Sequence, residues 1–351
     1  MNSRERINLA LHHRQADRIA LQDAPWETTV ARWHTEGLPD GVSPTEYFGY
    51  ELRGFSGDLS FRFPQETVEE TREYTITRDA NGALRRNWLH RTSTPECLDF
   101  TIRDRAGWDA HKHRLEVSAD RVDFQHLKAF TEAKQAGYWC HYSGVLGYDK
   151  SQGIVGSENL LMSMITDPDW VHEMFMTSAE MLCQVAQIML DGGFDFDGAF
   201  VYDDLGYRNG PLFSPDMFRR LLKPAHAMVY EFFHTRGLKV ILHTCGGVAP
   251  LVPDLIDAGL DCLQPLEVKA GMDLVELKRE YGRDLAFMGG IDARAMAHAD
   301  PAVIEQEMRA KIPPAMEDGG YIYHSDHSVP DNVSFQRYER VIELALELGT
   351  Y

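Results

Sequence analysis

The sequence has few cysteines and no long apolar run, and each absence limits the classes of protein that fit it. Five cysteines are scattered over 351 residues, and this odd number is typical of reduced thiols rather than of a disulfide framework. No stretch approaches the roughly 20 apolar residues of a membrane-spanning helix. Residues 1–6 also lack the apolar core of a signal peptide. We therefore expect a cytoplasmic protein without a membrane segment.

Positive charge is also scarce. The chain has 35 lysine and arginine residues against 54 aspartate and glutamate residues, which gives a formal net charge of −19 at pH 7. The basic residues form neither a long run nor a stripe, so the phosphate backbone of a nucleic acid would be repelled. We therefore exclude nucleic acids as partners and expect a small-molecule ligand.

Linkers, repeats and the glycine-rich dinucleotide motif are missing as well. No Pro-, Gly- or Ser-rich stretch divides the chain, and no repeat recurs at a solenoid period. No Gly-x-Gly-x-x-Gly follows an apolar run, so the fingerprint of dinucleotide binding is lacking. A length of 351 residues, with 44% hydrophobic and 25% charged residues, fits one α/β barrel. We predict a single domain over residues 1–351.

From residue 137 onward, short apolar runs alternate with helical patterns, and this alternation requires a parallel sheet. The apolar runs lie at 138–142, 198–202, 238–242, 260–263, 285–288 and 321–323. Helical spacing of apolar residues marks 158–190, 214–236, 248–258 and 301–316. Nearer the N-terminus, the pattern predicts a helix over 3–12, capped by Ser3, and a first strand within 17–23.

Between these regions the pattern changes at about residues 61–115. Two polar-apolar stretches, 74–77 and 84–88, flank Asn81-Gly82, which is the strongest short-range signal for a hairpin. We interpret this part of the chain as an antiparallel β-hairpin inserted into the parallel fold.

Nearly every predicted strand ends in residues that are capable of chemistry. These residues are His141, Ser143, Asp203, Asp204, His243, Cys245, Gln264, Glu267, Asp292, His324, Asp326 and His327. In a (β/α)₈ TIM barrel the carboxyl ends of the strands converge on one mouth, where such enzymes keep their active sites. We therefore predict a TIM barrel with an N-terminal helical segment and an inserted hairpin, in preference to an open doubly wound sheet.

The sharpest signal is the pair His243 and Cys245. Two residues apart on an extended chain, their side chains point the same way, so that imidazole and thiolate can bind one zinc ion. His327 is our candidate for the third ligand, with Asp326 or His324 as alternatives, and three ligands with an open fourth position are typical of catalytic zinc. The competing interpretation is a hydrogen-bonded histidine beside an inert buried cysteine, with the later residues in a solvated loop.

Paired carboxylates follow another apolar run, at Asp203 and Asp204. Neighbouring like charges raise the pKa of one member, which suits a general acid or base. Either carboxylate can also orient a ligating histidine or join the metal, and the alternative is a helix-capping role. His141 is a weaker catalytic candidate and Glu267 a weaker substrate-binding candidate, because a salt bridge at the barrel mouth would explain either residue.

A series of motifs runs in order through the C-terminal half of the chain. Its members lie at 203–206, 210–215, 243–247, 259–261, 265–266, 271–273, 281–282, 289–292 and 319–322. With the stretch from 4–6 to 17–18 near the N-terminus, this series resembles the uroporphyrinogen-decarboxylase superfamily. The resemblance implies a TIM barrel, in agreement with the strand pattern.

Two activities of that superfamily compete for this chain. The porphyrinogen decarboxylases carry an Arg-rich N-terminal motif that binds substrate carboxylates, whereas residues 21–27 here are acidic and contain no arginine. The corrinoid-linked methyltransferases bind zinc through a His-x-Cys pair and a later cysteine. His243 and Cys245 match the pair, and His327 would replace the later cysteine. The resemblance therefore favours a zinc-dependent methyltransferase.

Such an enzyme would move a methyl group between a small O-, N- or S-methyl substrate and a corrinoid. The corrinoid (cobalamin) would come from a partner protein, since the chain has no Asp-x-His-x-x-Gly corrinoid motif. A site with one thiolate is a harder Lewis acid than one with two, which favours an ether, amine or carboxylate over a thiol. Asp203 or Asp204 would handle protons. The candidates for the pocket wall are Trp26, Tyr142, Tyr202 and Phe287.

Two other functions remain open at the level of the sequence. One is a metal-independent decarboxylase or lyase for a small carboxylate, which would need cationic side chains at the strand ends. The other is a protein that binds a corrinoid or a small ligand without turnover, which would leave His243 and Cys245 free of metal.

Overall fold

Eight parallel strands form the central sheet of the computed structural model, which describes residues 1–90 and 94–351. Numbered first to eighth along the chain, they are Ala20–Leu21, Leu52–Phe55, Trp139–Val145, Gly198–Tyr202, Lys239–His243, Cys262–Gln264, Ala286–Met288 and Tyr321–Tyr323. From the second to the eighth, each strand pairs with the next one in the chain, and the eighth pairs with the first. This order curls the sheet and is consistent with a TIM barrel.

The first and second strands are the two edges of this sheet, and Glu51 links them. The backbone N–H of Glu51 donates to the carbonyl oxygen of Leu21 at 3.0 Å, and its carboxylate accepts the N–H of Leu21 at 2.5 Å. The same carboxylate forms ion pairs with Arg6 and Arg18. Because Glu51 is only 1% exposed, its burial depends on these partners.

Helices lie between the strands and flank the sheet. The α-helices of four or more residues are Ser3–Leu11, Glu27–Glu36, Pro44–Phe48, Arg105–His111, His126–Gln135, Gly147–Val155, Ser157–Thr166, Pro168–Asp191, Lys223–His234, Val252–Asp257, Leu274–Tyr281, Ala293–Met296, Ala302–Met316 and Phe335–Leu348. No helix among residues 1–90 and 94–351 is both long and apolar enough to cross a bilayer.

Local chemistry explains where the structure departs from the predicted helices. Asn2, not Ser3, caps the first helix, since its side chain accepts the N–H of Glu5 in a capping box. The helix predicted over 158–190 is two helices, and the second begins at Pro168 behind its cap Asp167. The helix predicted over 214–236 is interrupted by a π-helical turn, Phe218–Leu222.

The predicted insertion is a four-stranded antiparallel sheet rather than a single hairpin. Its strands are Glu66–Glu70, Tyr74–Arg78, Ala83–Trp88 and Glu96–Phe100, paired in chain order. The hairpin around Asn81-Gly82 is confirmed, and Gly82 has a φ of +81°, which glycine adopts readily. Positions 91–93 of the predicted excursion lie outside the described residues.

The second strand, Leu52–Phe55, has no counterpart among the predicted runs, because Arg53 and Gly54 interrupt its apolar pattern. The glycine is needed where it stands. A Cβ atom at Gly54 would lie 2.8 Å from Cε1 of His141, closer than side chains pack. This strand therefore leaves room for a histidine at the barrel mouth.

Apolar side chains fill both sides of the sheet. Inside the curl, a small cluster includes Trp139, Phe200, Ile241 and Met288, and Ile7 of the first helix packs against its end. A larger cluster lies between the strands and the surrounding helices. This packing fixes the strands and therefore the positions of the residues at their carboxyl ends.

We expect Glu51→Gln to lower the free energy of unfolding by about 3 kcal/mol, since the buried guanidinium group of Arg6 and the partly buried one of Arg18 each lose a negative partner. Urea unfolding monitored by circular dichroism measures this loss. Glu343→Gln removes an exposed partner of Arg340 and is the control, with an expected change under about 0.5 kcal/mol. Equal stability of the two variants would contradict the role given to Glu51.

Candidate active site

A cavity of about 410 Å³ lies where the carboxyl ends of the parallel strands meet. Its wall includes His141, Tyr202, His243, Cys245, Gln264 and His327. The site follows from the register, because His243 is paired with Tyr202 on one side and with Gln264 on the other. Residues in register on parallel strands point to the same face, so these three side chains lie side by side.

Three potential metal ligands meet where this cavity adjoins a second one. One ligand atom each from Asp204, His243 and Cys245 lies within 4.8 Å of the other two. The distance from His243 Nε2 is 3.4 Å to Cys245 Sγ and 3.6 Å to Asp204 Oδ1. Nitrogen, sulfur and oxygen donors at these separations suit a zinc ion.

A hydrogen-bond chain fixes the orientation of the His243 ring. Gln264 Oε1 lies 2.5 Å from His243 Nδ1, and Gln264 Nε2 lies 3.3 Å from His324 Nε2. His324 Nδ1 in turn donates to the carbonyl oxygen of Ser325 at 2.7 Å. Since the amide oxygen only accepts, His243 donates from Nδ1 and its Nε2 lone pair faces Cys245. This is the tautomer that a metal ligand requires.

The loop that carries Cys245 is held by two carboxylates. Asp204 Oδ1 accepts the backbone N–H of Cys245 at 2.8 Å, and Glu267 Oε2 accepts that of Gly246 at 2.7 Å. Glu267 is 7% exposed and also binds Lys269. It therefore supports the loop and does not line the cavity, although the sequence made it a candidate for substrate binding.

Burial keeps both donors of the His-x-Cys pair uncharged when no ion is bound. It lowers the pKa of His243, against the opposing effect of Asp204. It also raises the pKa of the Cys245 thiol, and the negative charges of Asp204 and Glu267 add to that shift. A metal ion that binds here therefore meets a neutral imidazole and displaces the thiol proton.

The structure separates the two paired carboxylates. Asp203 is fully buried and lines neither this cavity nor its neighbour. Its oxygens lie 2.8 Å from His226 Nε2 and accept the N–H of Asp149 at 2.7 Å. Burial raises the pKa of Asp203. Asp203 therefore fixes the fold behind the site, whereas Asp204 faces the cluster.

The candidates for the third ligand occupy different surroundings. Both oxygens of Asp326 accept backbone N–H groups, from Ala293 and Val268, and His324 is bonded to Gln264. The His327 ring lines the cavity and stacks on Trp26 with 6.2 Å between centroids. Within residues 1–90 and 94–351, its ring nitrogens make no hydrogen bond.

The remaining predicted residues divide between the cavity and the core. His141 lines the cavity, and burial lowers its pKa to about 4, so the ring is neutral near pH 7. Tyr202 also lines it, with its ring 5.3 Å from that of His243. Tyr142 and Phe287 are fully buried and line neither cavity.

The sequence named Gln264 at a strand end but gave it no role. A glutamine beside a histidine in register becomes informative only when the pairing of the two strands is known. Asp149 and Lys150, at the start of the helix Gly147–Val155, were not singled out either. Both line a second cavity next to the first.

Sequence comparison assigns the family. A family model described as Uroporphyrinogen decarboxylase (URO-D) matches residues 151–348, which is more than half of the chain. The chain belongs to the uroporphyrinogen decarboxylase family. This result confirms the resemblance seen in the motifs, and the matched range contains Asp204, His243 and Cys245. No curated protein sequence gives a match to this URO-D chain.

Among solved structures, a methyltransferase resembles the chain in fold. A methyltransferase from Methanosarcina mazei is 16% identical, covers 99% of each chain and has a TM-score of 0.67. A sugar phosphate isomerase/epimerase from Parabacteroides distasonis is 11% identical, covers 94% of this chain and 95% of its own, and has a TM-score of 0.39. The similarity to the methyltransferase extends over nearly the whole URO-D chain and shows a similar fold.

We expect Asp203→Ala and Asp204→Ala to differ in stability. The first leaves Nε2 of His226 and the N–H of Asp149 without a partner, at a cost of about 3 kcal/mol. The second removes a side chain that is 38% exposed and costs about 1 kcal/mol. Guanidinium unfolding of both variants measures the difference. A larger loss of stability for Asp204→Ala than for Asp203→Ala would contradict the structural role given to Asp203.

Proposed function

We propose that this protein is a zinc-dependent methyltransferase, which moves a methyl group between a small O-, N- or S-methyl substrate and a corrinoid on a partner protein. The observation that carries the proposal is the grouping of Asp204, His243 and Cys245 within 4.8 Å, with His243 and Cys245 at the wall of one cavity and Asp204 at the wall of its neighbour. Three protein donors beside open space are the arrangement of catalytic zinc sites. The URO-D family and the fold of the methyltransferase from Methanosarcina mazei support this assignment.

His243 and Cys245 are the first two ligands in this proposal. Asp204 is the third on geometry, since its Oδ1 already lies 3.6 Å from His243 Nε2. His327, the ligand inferred from the sequence, lines the same cavity with unbonded ring nitrogens and is the alternative. The donor set holds one thiolate only, which favours an ether or amine substrate over a thiol.

The roles of the residues follow from their positions. Gln264 holds His243 so that Nε2 faces the ion, and Asp204 holds the backbone of Cys245. When bound, zinc acts as a Lewis acid on the heteroatom that carries or accepts the methyl group. His141, which is neutral and lines the cavity, is placed to exchange a hydrogen bond with that heteroatom.

The cofactor would be delivered by another protein. A corrinoid is larger than a cavity of about 410 Å³, so only its reactive cobalt face would approach the rim, with the body of the cofactor (cobalamin) kept in its carrier. We infer further that residues 1–351 form one domain on a closed TIM barrel. Glu51 would complete the ring between the first and second strands.

The porphyrinogen-decarboxylase alternative finds less support at this cavity. That reaction requires cationic side chains for the carboxylates of the substrate. No arginine or lysine of the described chain lines the 410 Å³ cavity, and Arg85 and Lys150 are the two that line its neighbour, too few for the several carboxylates of a porphyrinogen. A metal-independent lyase would also leave the His-x-Cys pair without a purpose.

The protein purified without added metal should contain about one zinc per chain, as measured by inductively coupled plasma mass spectrometry. His243→Ala and Cys245→Ala should lose it, because each removes one ligand. His298→Ala and Cys97→Ser are matched controls outside the cluster and should retain it. A wild-type protein that neither contains zinc nor takes it up would refute the metal site.

The same measurement identifies the third ligand. We expect Asp204→Asn to release zinc and His327→Ala to keep it. The opposite result would assign the position to His327.

Methyl transfer is tested with free methylcobalamin as the donor and a panel of small phenols, amines and thiols as acceptors. Loss of the methyl–cobalt bond changes the visible absorbance. We expect a rate above background with wild-type protein and at least about 100-fold less with His243→Ala, since zinc activation of the acceptor is lost. Equal rates for the two proteins across the panel would refute the activity.

A further inference from the structure

A second cavity, of about 780 Å³, lies between the inserted antiparallel sheet and the barrel mouth. Ser143 and Tyr202 line both cavities. Asp204 belongs to the metal cluster and also lines this larger cavity. The space therefore adjoins the proposed zinc site, and the site residues described so far do not account for it.

Lys150 is the unusual group in this cavity. It is only 9% exposed, and its Nζ donates to the carbonyl oxygen of Leu59 at 2.5 Å and to Asn81 Oδ1 at 3.4 Å. Both acceptors are neutral. No carboxylate of the described residues lies within 4.0 Å of Nζ. A buried ammonium group without a counter-charge is costly, and one of its three N–H bonds remains without an acceptor.

Two nearby carboxylates are already paired with other cations. Asp58 binds Arg62 with a distance of 2.6 Å, and Asp79 binds Arg85 at the same distance. The charges of these two acids are therefore compensated by guanidinium groups. Neither acid supplies the charge that Lys150 lacks.

The other charged neighbours do not supply it either. The carboxylate of Asp149 accepts Gln152 Nε2 at 2.7 Å and forms no ion pair with Lys150. Arg121 repels the ammonium group. Burial lowers the pKa of Lys150 to about 8, so most of the population is still protonated at pH 7. One positive charge is thus left for a ligand to balance.

Two further donors face the same space. Arg85 uses Nε for Asp79 and Nη1 for Cys97 Sγ at 3.3 Å, and Nη2 makes no hydrogen bond within the described chain. Nη2 lies next to Gly153, where a Cβ atom would be in ordinary contact with it at 3.6 Å. Asn81 Nδ2 is likewise unbonded among residues 1–90 and 94–351.

We propose that this cavity binds the carboxylate of a small monoanionic substrate through Lys150, Arg85 and Asn81. The substrate extends towards Asp204, where its methyl-bearing atom meets the metal cluster. The charge of the ligand follows from the charges that line the cavity. The Lys150 ammonium group has no ion-pair partner, and one carboxylate would balance it. A dianionic phosphate would be repelled by Asp149 and Asp204, which line the same space. The substrate role of the cavity rests on the proposed function, whereas anion binding does not.

Benzoate and benzamide test the proposal, since they match in size and differ in charge. Their dissociation constants are measured at pH 7 by isothermal titration calorimetry, without a methyl donor or acceptor. Wild-type protein should bind benzoate at least about tenfold more tightly than benzamide, because a hydrogen bond between charged groups adds that much affinity. Similar affinities for the two probes, or binding of neither, would overturn the proposal without any variant.

Lys150→Met should abolish the preference for benzoate. The matched control is Lys278→Met, because Lys278 also donates to a backbone carbonyl, that of Gly319, from a partly buried position that lines neither cavity. This control should keep the preference. A preference that survives in Lys150→Met would overturn the assignment to Lys150.

His243→Ala separates the two proposals. It should lose zinc and methyl transfer but bind benzoate as the wild type does. If benzoate binding is present and methyl transfer is absent in the wild type, the anion site stands and the proposed activity fails. If methyl transfer is present and benzoate binding is absent in the wild type, the anion site is refuted and the proposed activity stands.

Discussion

Parallel pairing of strands that follow one another in the chain is the constraint on which the rest of the structure depends. It brings all eight carboxyl ends to one rim, and its register sets Tyr202, His243 and Gln264 side by side. Asp204 joins them because it lies just beyond the fourth strand. The buried carboxylate of Glu51 links the two edges of the sheet. The group of potential metal ligands at the mouth is therefore a product of strand order, and no long loop has to fold over to build it.

Buried polar groups then limit which side chains are free to act. Asp203, Asp326 and Glu267 each accept hydrogen bonds from the backbone or from another side chain. Such groups stabilise loops and have no spare capacity for a substrate. Among the described residues, the groups with spare capacity include the Nε2 atom of His243 and the thiol of Cys245 in the cluster, the ring nitrogens of His327 in the same cavity, and the ammonium of Lys150 with Nη2 of Arg85 in the adjoining cavity.

The sequence alone predicts those features that depend on short spacings. His243 and Cys245 are two residues apart at a strand end, so extended geometry suffices to pair them. The hairpin at Asn81-Gly82 and seven of the eight parallel strands are predicted for the same reason, since each shows a local pattern. The second strand is not predicted because Arg53 and Gly54 break its apolar run. The roles of Gln264 and Lys150 depend on neighbours far away in the chain, and only the folded structure supplies them. The difference between Asp203 and Asp204 arises in the same way, from His226.

The central claim is that His243 and Cys245 bind one zinc ion at the mouth of the sheet. Zinc K-edge X-ray absorption of the purified protein tests it most directly, since sulfur and lighter ligands scatter differently. The account predicts one sulfur at about 2.3 Å and nitrogen or oxygen ligands at about 2.0–2.2 Å, with the sulfur lost in Cys245→Ser. A bound zinc surrounded by nitrogen and oxygen alone would contradict it.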